Sequence, residues 1–210
     1  MIRVLIADDH AVVRRGLIQI LSEAFPVIEF GEASNAQELL KKVTEQTWNL
    51  LTLDIFMPGR SGIDILGDLR QTHPRLPVLV LSVHSEDQYA RRALKSGAAG
   101  YLSKDVVPFE LVDAVRRVLK GGRYVSPSLA EKLAMDLATE GQKPNHGALS
   151  DRELEVLLMM ASGKTNSQIA DALALSPKTV STYRARLLEK MGMTTTAELI
   201  RYAVETHLVE

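Results

Sequence analysis

Five short apolar runs, each followed by a segment of helical spacing, fill the first 122 residues and decide the class of fold. Arg3 to Ala7 is the first run, and Val13, Leu17, Ile20 and Leu21 mark the helix after it. Val27 to Ala33 is the second. Asn35, with Glu38 three residues on, then starts a helix carrying Leu39, Leu40 and Val43. Asn49 to Leu53, closed by Asp54, is the third run; a loop with Pro58, Gly59 and Gly62 leads to a helix through Ile65, Leu66 and Leu69. Pro77 to Leu81 is almost wholly apolar, as expected of a parallel strand covered on both faces. Ser85 to Ser96 reads as a helix stopped by Gly97. Gly100 to Leu102 is a brief fifth strand, and Pro108 opens a helix ending near Gly121 and Gly122. Repeated strand–helix units predict an α/β domain with a mainly parallel sheet and right-handed crossovers.

Such sheets collect functional groups at the carboxyl ends of their strands, near the point where strand order reverses. Asp8 and Asp9 follow the first run, Asp54 closes the third, Ser82 ends the fourth and Lys104 follows the fifth. Three carboxylates held close repel one another unless a cation neutralises them. Oxygen-only ligands select a hard cation, and Mg²⁺ keeps waters that an incoming phosphoryl group can displace. A carboxylate can also attack phosphorus to give an aspartyl-phosphate, with an amine and a hydroxyl complementing the phosphoryl oxygens. Taken singly, each residue has a plain alternative as a helix cap or a solvated side chain. Together, at matching strand ends, they make a site.

Composition narrows the field further. The 210 residues hold 25 Lys and Arg against 26 Asp and Glu, for a net charge of −1. That balance excludes a globally basic coat for nucleic acid and a self-repelling acidic chain. The absence of cysteine excludes a disulfide framework, thiolate zinc sites and a cysteine nucleophile, and suits a reducing cytoplasm. No apolar run reaches the roughly 20 residues of a membrane helix. Met1 to Ile6 lacks the layout of a signal peptide, so a cytoplasmic place without a membrane partner is expected. Aromatic residues at 5% argue against a stacking platform for single strands.

Asp8-Asp9, Asp54-Ile55-Phe56-Met57-Pro58-Gly59-Arg60-Ser61-Gly62, Leu81-Ser82 and Gly100-Tyr101-Leu102-Ser103-Lys104 resemble the receiver domain of bacterial two-component response regulators, over residues 1–122. The resemblance implies a flavodoxin-like (βα)5 domain with a parallel five-stranded sheet. It implies Asp54 as the phosphoacceptor for a cognate sensor histidine kinase. Mg²⁺ is then held by the Asp9 and Asp54 side chains, the Phe56 backbone carbonyl, and Asp8 through water. Ser82 takes the role of the hydroxyl that swings toward the phosphoryl group, and Lys104 the ion-pairing role. Tyr101 matches the switch aromatic whose rotamer follows that hydroxyl, a core tyrosine being the alternative. Phe56 and His84 fall where the family borders the path of the attacking water. Bulky Phe56 is expected to shield the acyl phosphate, and His84 to be an exposed loop residue. A phosphohydrolase would share the nucleophilic Asp and the Mg²⁺, but it typically needs a second carboxylate where Phe56 stands. The expectation is a protein that accepts a phosphoryl group and slowly loses it, not a turnover enzyme.

Beyond Gly122 the strand pattern stops. Residues 123–148 read as a linker: Leu129, Leu133 and Leu137 mark a short helix over Ser128–Ala138, and periodicity then vanishes through Thr139–Gly147. Residues 149–210 read as four helices. Ser150 and Glu153 form a capping box for Leu154, Val156, Leu157 and Leu158, ending at Ser162-Gly163. A second helix starts near Thr165-Asn166 with Ile169, Ala170 and Leu173. Pro177 opens a third, carrying Val180, Tyr183, Leu187, Leu188 and Met191 to Gly192. A fourth, with Thr196 as its cap, runs from Ala197 through Leu199, Ile200 and Ala203. The tight turn at Ala174-Leu175-Ser176 makes the second and third a helix-turn-helix, whose second helix enters the major groove. This region has seven basic and eight acidic residues, yet residues 176–193 carry four basic against one acidic. Basic charge sits on one helix.

Leu149 to Leu157, Gly163 to Ala170 and Leu175 to Val180 are similar to the LuxR-type helix-turn-helix, an all-α four-helix domain. Joined to a receiver, the chain resembles the NarL/FixJ subfamily of transcriptional regulators. Many members carry Lys and His where Ser181 and Tyr183 stand here. The exposed face of the third helix offers Lys178, Thr179, Ser181, Thr182, Arg184, Arg186 and Lys190 to double-stranded promoter DNA. Ser181 and Thr182 suit base edges or thymine methyls, and Lys178, Arg184, Arg186 and Lys190 suit phosphates. Leu199, Ile200, Ala203 and Val204 on the last helix both close the bundle and, by the resemblance, form a homodimer surface on DNA. The expected function is phosphorylation-controlled DNA binding. A second domain that touches protein instead is the alternative, and a salt-dependent duplex affinity separates the two.

Overall fold

Five parallel strands, β1 (Ile2–Ala7), β2 (Ile28–Ala33), β3 (Leu50–Asp54), β4 (Val78–Ser82) and β5 (Gly100–Ser103), form one sheet in the order β2-β1-β3-β4-β5. The computed structural model describes residues 1–57, 60–83, 86–131, 145–206 and 208–209. Pro58, Gly59, His84 and most of the expected loop at 139–147 therefore lie outside the described residues. The chain divides into two compact units, Met1–Ala138 and Thr139–Glu210.

The chain leaves β1 toward β2 on one side and returns to β3 on the other, so strand order reverses between β1 and β3. The reversal opens a crevice at their carboxyl ends. Ala7 pairs with Leu53, so Asp8 falls beside Asp54 at the next rung. Every residue of β3 and β4 is buried, as the apolar runs predict for central parallel strands.

Helices α1 (Ala11–Ala24) and α5 (Val107–Leu119) cover one face. Leu17, Leu21, Leu111, Ala114, Val115 and Val118 pack there on Val4, Ile6, Leu50, Leu79, Leu81 and Leu102. Alternate residues Leu5, Leu51, Leu53 and Val80 are buried on the opposite face. Right-handed crossovers place α2 (Ala36–Glu45), α3 (Gly62–Thr72) and α4 (Glu86–Lys95) on that side. The Asn35 cap forms as expected, its side chain accepting the Glu38 N–H at 2.9 Å.

The chain expected to be linker from residue 123 first runs along the outer edge of β5. Tyr124 donates its N–H to Ala99 at 2.9 Å and accepts the Tyr101 N–H at 3.2 Å. Gly100 makes this approach possible, because a Cβ there would stand 2.7 Å from the Tyr124 carbonyl oxygen. The strap satisfies edge groups that would otherwise invite another chain. A helical segment opens at residue 127, and residues 132–144, with the rest of the helix expected over Ser128–Ala138, lie outside the described residues.

In the second unit a 3-10 turn (Asn145–Ala148) precedes α6 (Asp151–Ala161), α7 (Asn166–Leu173), α8 (Pro177–Met191) and α9 (Thr196–Glu205). The Ser150–Glu153 capping box forms, and Thr165 with Gln168 makes a second. The cap of α9 is Thr195 rather than Thr196, because only Thr195 lies three residues before Glu198 and completes a third box. Leu154, Val156, Leu157, Ile169, Leu173, Val180, Leu187, Met191, Leu199 and Ala203 are buried, so each helix contributes to one small core.

The turn between α7 and α8 forces Ala174 into the left-handed region, at φ 52° and ψ 46°. Its N–H and that of Leu175 then satisfy the last carbonyls of α7. An L-residue with a Cβ pays for this conformation and glycine does not. Ala174→Gly is expected to stabilise the helix-turn-helix by about 0.5–1 kcal/mol, net of the extra freedom glycine has when unfolded. Slower amide hydrogen exchange across α7 and α8 is the measurement.

Candidate functional site

The crevice at the ends of β1 and β3 brings the sequence-predicted residues together. Asp54 is the last residue of β3 and almost fully buried. Its Oδ1 accepts the Phe56 N–H at 2.9 Å, and its Oδ2 meets Lys104 Nζ at 2.6 Å. Asp8 is as deeply buried; its Oδ1 accepts the His10 N–H at 2.9 Å and its Oδ2 lies 2.6 Å from the same Lys104 Nζ. Asp9 is more open, with His10 Nδ1 2.8 Å from its Oδ1. One ligand atom from each of Asp8, Asp9, His10 and Asp54 fits within 4.8 Å.

Lys104 has to cross β4 to reach Asp54 from beyond β5. Two strand spacings are about 10 Å, which a loop and a four-carbon stem can span only over a small residue. Ser82 is that residue. It ends β4, is fully buried, and its carbonyl accepts the Lys104 N–H at 2.7 Å, pinning the lysine's backbone above it. Tyr101 lies in β5 with its ring fully buried.

Two approaches set the loop after Asp54. The N-terminus of α3 presses against it where Gly62 stands, since a Cβ there would come 2.4 Å from Ile55 Cα. Half-buried Phe56 meets the Tyr89 ring of α4 edge-to-face, with centroids 4.9 Å apart. Neither Tyr89 nor Arg14 carries a signal as a site neighbour in the sequence. Only the Asp-Asp-His succession hinted at His10.

Burial pushes the Asp54 carboxyl above its ordinary pKa, with the nearby Asp8 charge adding to it and Lys104 only partly offsetting it. Partial burial pulls Lys104 down, but Asp54 and Asp8 together outweigh it and hold the ammonium above its ordinary pKa. Three carboxylates against one ammonium leave two negative charges in the crevice. Asp9 Oδ1 is a buried atom with His10 Nδ1 as its close partner and no cation beside it among the described residues. An oxygen-rich set short of two positive charges is what a hard divalent cation such as Mg²⁺ fits.

In the second unit, Lys178, Thr182, Arg184, Ala185 and Arg186 are exposed along α8, while Val180, Leu187 and Met191 point inward. Lys178, Arg184 and Arg186 form no ion pair among the described residues. Lys190 differs: its Nζ sits 2.7 Å from Oε2 of buried Glu153 at the start of α6. Desolvation works to raise the Glu153 pKa, but Lys190 and the Ser150 cap prevail and hold it below the ordinary value. Ser181 accepts from Asn166 of α7 at 3.3 Å and donates to the Pro177 carbonyl at 3.0 Å. The Thr182 hydroxyl donates to the Lys178 carbonyl at 3.1 Å. Thr179 is taken up by the helix cap: Ser176 Oγ accepts its N–H at 3.1 Å, and the two hydroxyls lie 2.8 Å apart.

Comparison with known proteins assigns a family to each unit. Residues 4–116 match the response regulator receiver domain, and residues 147–203 match the bacterial regulatory proteins of the luxR family. The chain is 37% identical to the response regulator GacA of Pseudomonas viridiflava, covering all of this chain and 99% of that one. It is 34% identical to the response regulator UvrY of Escherichia coli K12, over 97% of this chain and 94% of that one. Among solved structures, RcsB of Salmonella enterica serovar Typhimurium, bound to promoter rprA in the presence of phosphomimetic BeF3⁻, is 26% identical. It matches with a TM-score of 0.65 over 96% of this chain and 98% of that one. No helix among the described residues is long and apolar enough to cross a membrane.

The raised pKa of Asp54 has a stability consequence. The folded state holds this proton more tightly than the unfolded chain, so Asp54 costs stability as pH rises through its folded pKa. Asp54→Asn is therefore expected to unfold at a higher temperature than the wild type at neutral pH. The gap narrows as pH falls to the ordinary carboxylate value near 3.9. Thermal denaturation across that range checks the sign, and a gap that widens at low pH contradicts it.

Proposed function

This chain belongs to the response regulators that join a receiver domain to a LuxR-family DNA-binding domain, and we propose that it passes a kinase signal to promoter DNA through Asp54. The observation that carries the reading is the convergence of Asp8, Asp9, Asp54 and Lys104 in one crevice, with two negative charges left over. An Asp54 oxygen attacks the phosphorus of a phosphohistidine on the sensor kinase. The P–O bond forms as the P–N bond breaks, and the imidazole nitrogen leaves with the bond's electron pair. The Phe56 N–H orients the carboxylate for this attack. Lys104, already at Asp54, moves its ammonium to a phosphoryl oxygen and stabilises the transferred charge.

The side chains of Asp9 and Asp54, the Phe56 carbonyl, and Asp8 through water would hold Mg²⁺, which offsets the charge of the crevice and of the phosphoryl group. Ser82 turns its hydroxyl toward the acyl phosphate, and Tyr101 follows, which shifts a pre-existing equilibrium of the receiver. Phe56, braced by Tyr89, shields the acyl phosphate from water. The phosphoryl group is therefore lost slowly and without turnover of a separate substrate.

The output is binding of promoter DNA in the cytoplasm by a homodimer, because one domain of this size reads few base pairs. The exposed α8 cations supply phosphate contacts. Ser181, committed to Asn166 and Pro177, holds the helix-turn-helix together, while exposed Thr182 is left to meet base edges. Leu199 and Ala203 close the core, whereas Ile200 and half-exposed Val204 remain on the outer side of α9 for a second copy.

Asp54→Ala is expected to take no label from a radioactive phosphodonor and to lose phosphate-stimulated DNA binding; label on that variant sinks the acceptor assignment. Salt titration of duplex binding separates the cations of α8. Arg184→Ala and Arg186→Ala each lower the log–log slope by about 0.9 per domain. Lys190→Ala leaves the slope nearly unchanged and instead lowers stability, because it strands the buried Glu153 charge.

A further inference from the structure

Arg14 lies one turn into α1, where its N–H bonds the His10 carbonyl, and its side chain folds back toward the start of the helix. Nη1 donates to the Asp8 carbonyl at 2.8 Å and to the Asp9 carbonyl at 3.4 Å. Nε donates to Glu32 Oε2, on the neighbouring strand β2, at 2.8 Å. Only 15% of the Arg14 side chain is exposed. The Asp8 N–H bonds the Ala33 carbonyl at 3.0 Å, continuing the β1–β2 ladder past the end of β1. The backbone that carries both acidic residues is thus held twice from β2, by strand pairing at Ala33 and by a guanidinium anchored on Glu32.

We infer that Arg14 is a positioning residue for the cation site: it fixes the Asp8-Asp9 backbone so that two mutually repelling carboxylates stay aimed into the crevice, and Glu32 holds Arg14 in place. Left alone, Asp8 and Asp9 lower their energy by rotating apart into solvent, and a two-residue turn at a strand end has little to stop them. A guanidinium suits the task because its planar fork can bridge two carbonyls and a carboxylate at once, which an ammonium cannot do with the same geometry. Arg14 touches neither cation nor phosphoryl group. The inference rests on the reading of Asp8, Asp9 and Asp54 as the Mg²⁺ ligands.

The sign of the effect separates positioning from simple electrostatics. Removing a positive charge beside a cation site strengthens cation binding by Coulomb attraction alone. Removing a residue that orients the ligands weakens it, by about tenfold or more for partners behind the ligands of metal sites. Isothermal titration of the full-length protein with MgCl2 is the test. Arg14→Met, which keeps the apolar stem, is expected to raise the Mg²⁺ Kd about tenfold, Arg14→Lys to recover part of the loss, and Glu32→Gln to raise Kd by a smaller factor. Labelling by a small phosphodonor returns to the wild-type rate once Mg²⁺ saturates. Unchanged or tighter Mg²⁺ binding in Arg14→Met overturns the inference; should that variant fail to fold, unchanged binding in both Arg14→Lys and Glu32→Gln overturns it. If the wild type itself binds no Mg²⁺, the ligand reading fails first and the role of Arg14 falls with it.

Discussion

Repulsion among Asp8, Asp9 and Asp54 is the constraint on which the receiver half depends. A sheet crevice that gathers three carboxylates, two of them almost fully buried, is unfavourable unless something opposes the charge. Lys104 supplies one positive charge by reaching over Ser82, which is why a small residue must end β4. The remaining imbalance gives the site its appetite for a divalent cation and for a phosphoryl group that arrives with one. The backbone around the carboxylates is correspondingly well held, by the Phe56 N–H, the His10 N–H, the close packing at Gly62 and the Arg14–Glu32 pair. The energy that a plain hydrophobic crevice would gain is given up here so that the crevice can be charged and discharged.

The helical half solves a milder version of the same problem. Its net charge is slightly negative, although it is the part that meets DNA. Lys190 neutralises the buried Glu153, leaving Lys178, Arg184 and Arg186 uncommitted along α8. Acidic residues elsewhere serve as caps: Glu153 and Glu198 complete boxes at the starts of α6 and α9. The domain therefore spends its negative charge on its own stability and presents positive charge on one face. A near-zero total is compatible with local recognition and incompatible with indiscriminate coating.

Much of this was legible in the residues. The apolar run at 77–81 predicts a parallel strand covered on both faces, and β4 is buried along its whole length. Once the strands were placed, Asp8, Asp9, Asp54, Ser82 and Lys104 necessarily shared a rim. The box at Ser150 followed from short-range spacing alone, whereas the Thr165–Gln168 and Thr195–Glu198 boxes came with the structure. Tyr124 was not legible, since its place along β5 depends on a long-range pairing that a lone polar-flanked aromatic does not signal. Arg14 carries no signal of its own in the sequence, because its partners, the carbonyls of Asp8 and Asp9 and the Glu32 carboxylate, are set by how β1 and β2 pair. Lys190 looked like one more phosphate contact until α6 and α8 were packed together and Glu153 appeared beside it.

By itself the sequence determined the element types, the class of each half and the chemical groups available, since periodicity, capping and strand-end carboxylates are local properties of a chain. Only the tertiary structure decided which of those groups face one another. It set Lys104 between two aspartates, placed Phe56 against Tyr89, paired Lys190 with Glu153 and folded Arg14 back over the acidic turn. The reason is physical: burial and charge pairing depend on distance in space, and residues 50 positions apart in the chain, as Asp54 and Lys104 are, meet only after strand order has been chosen.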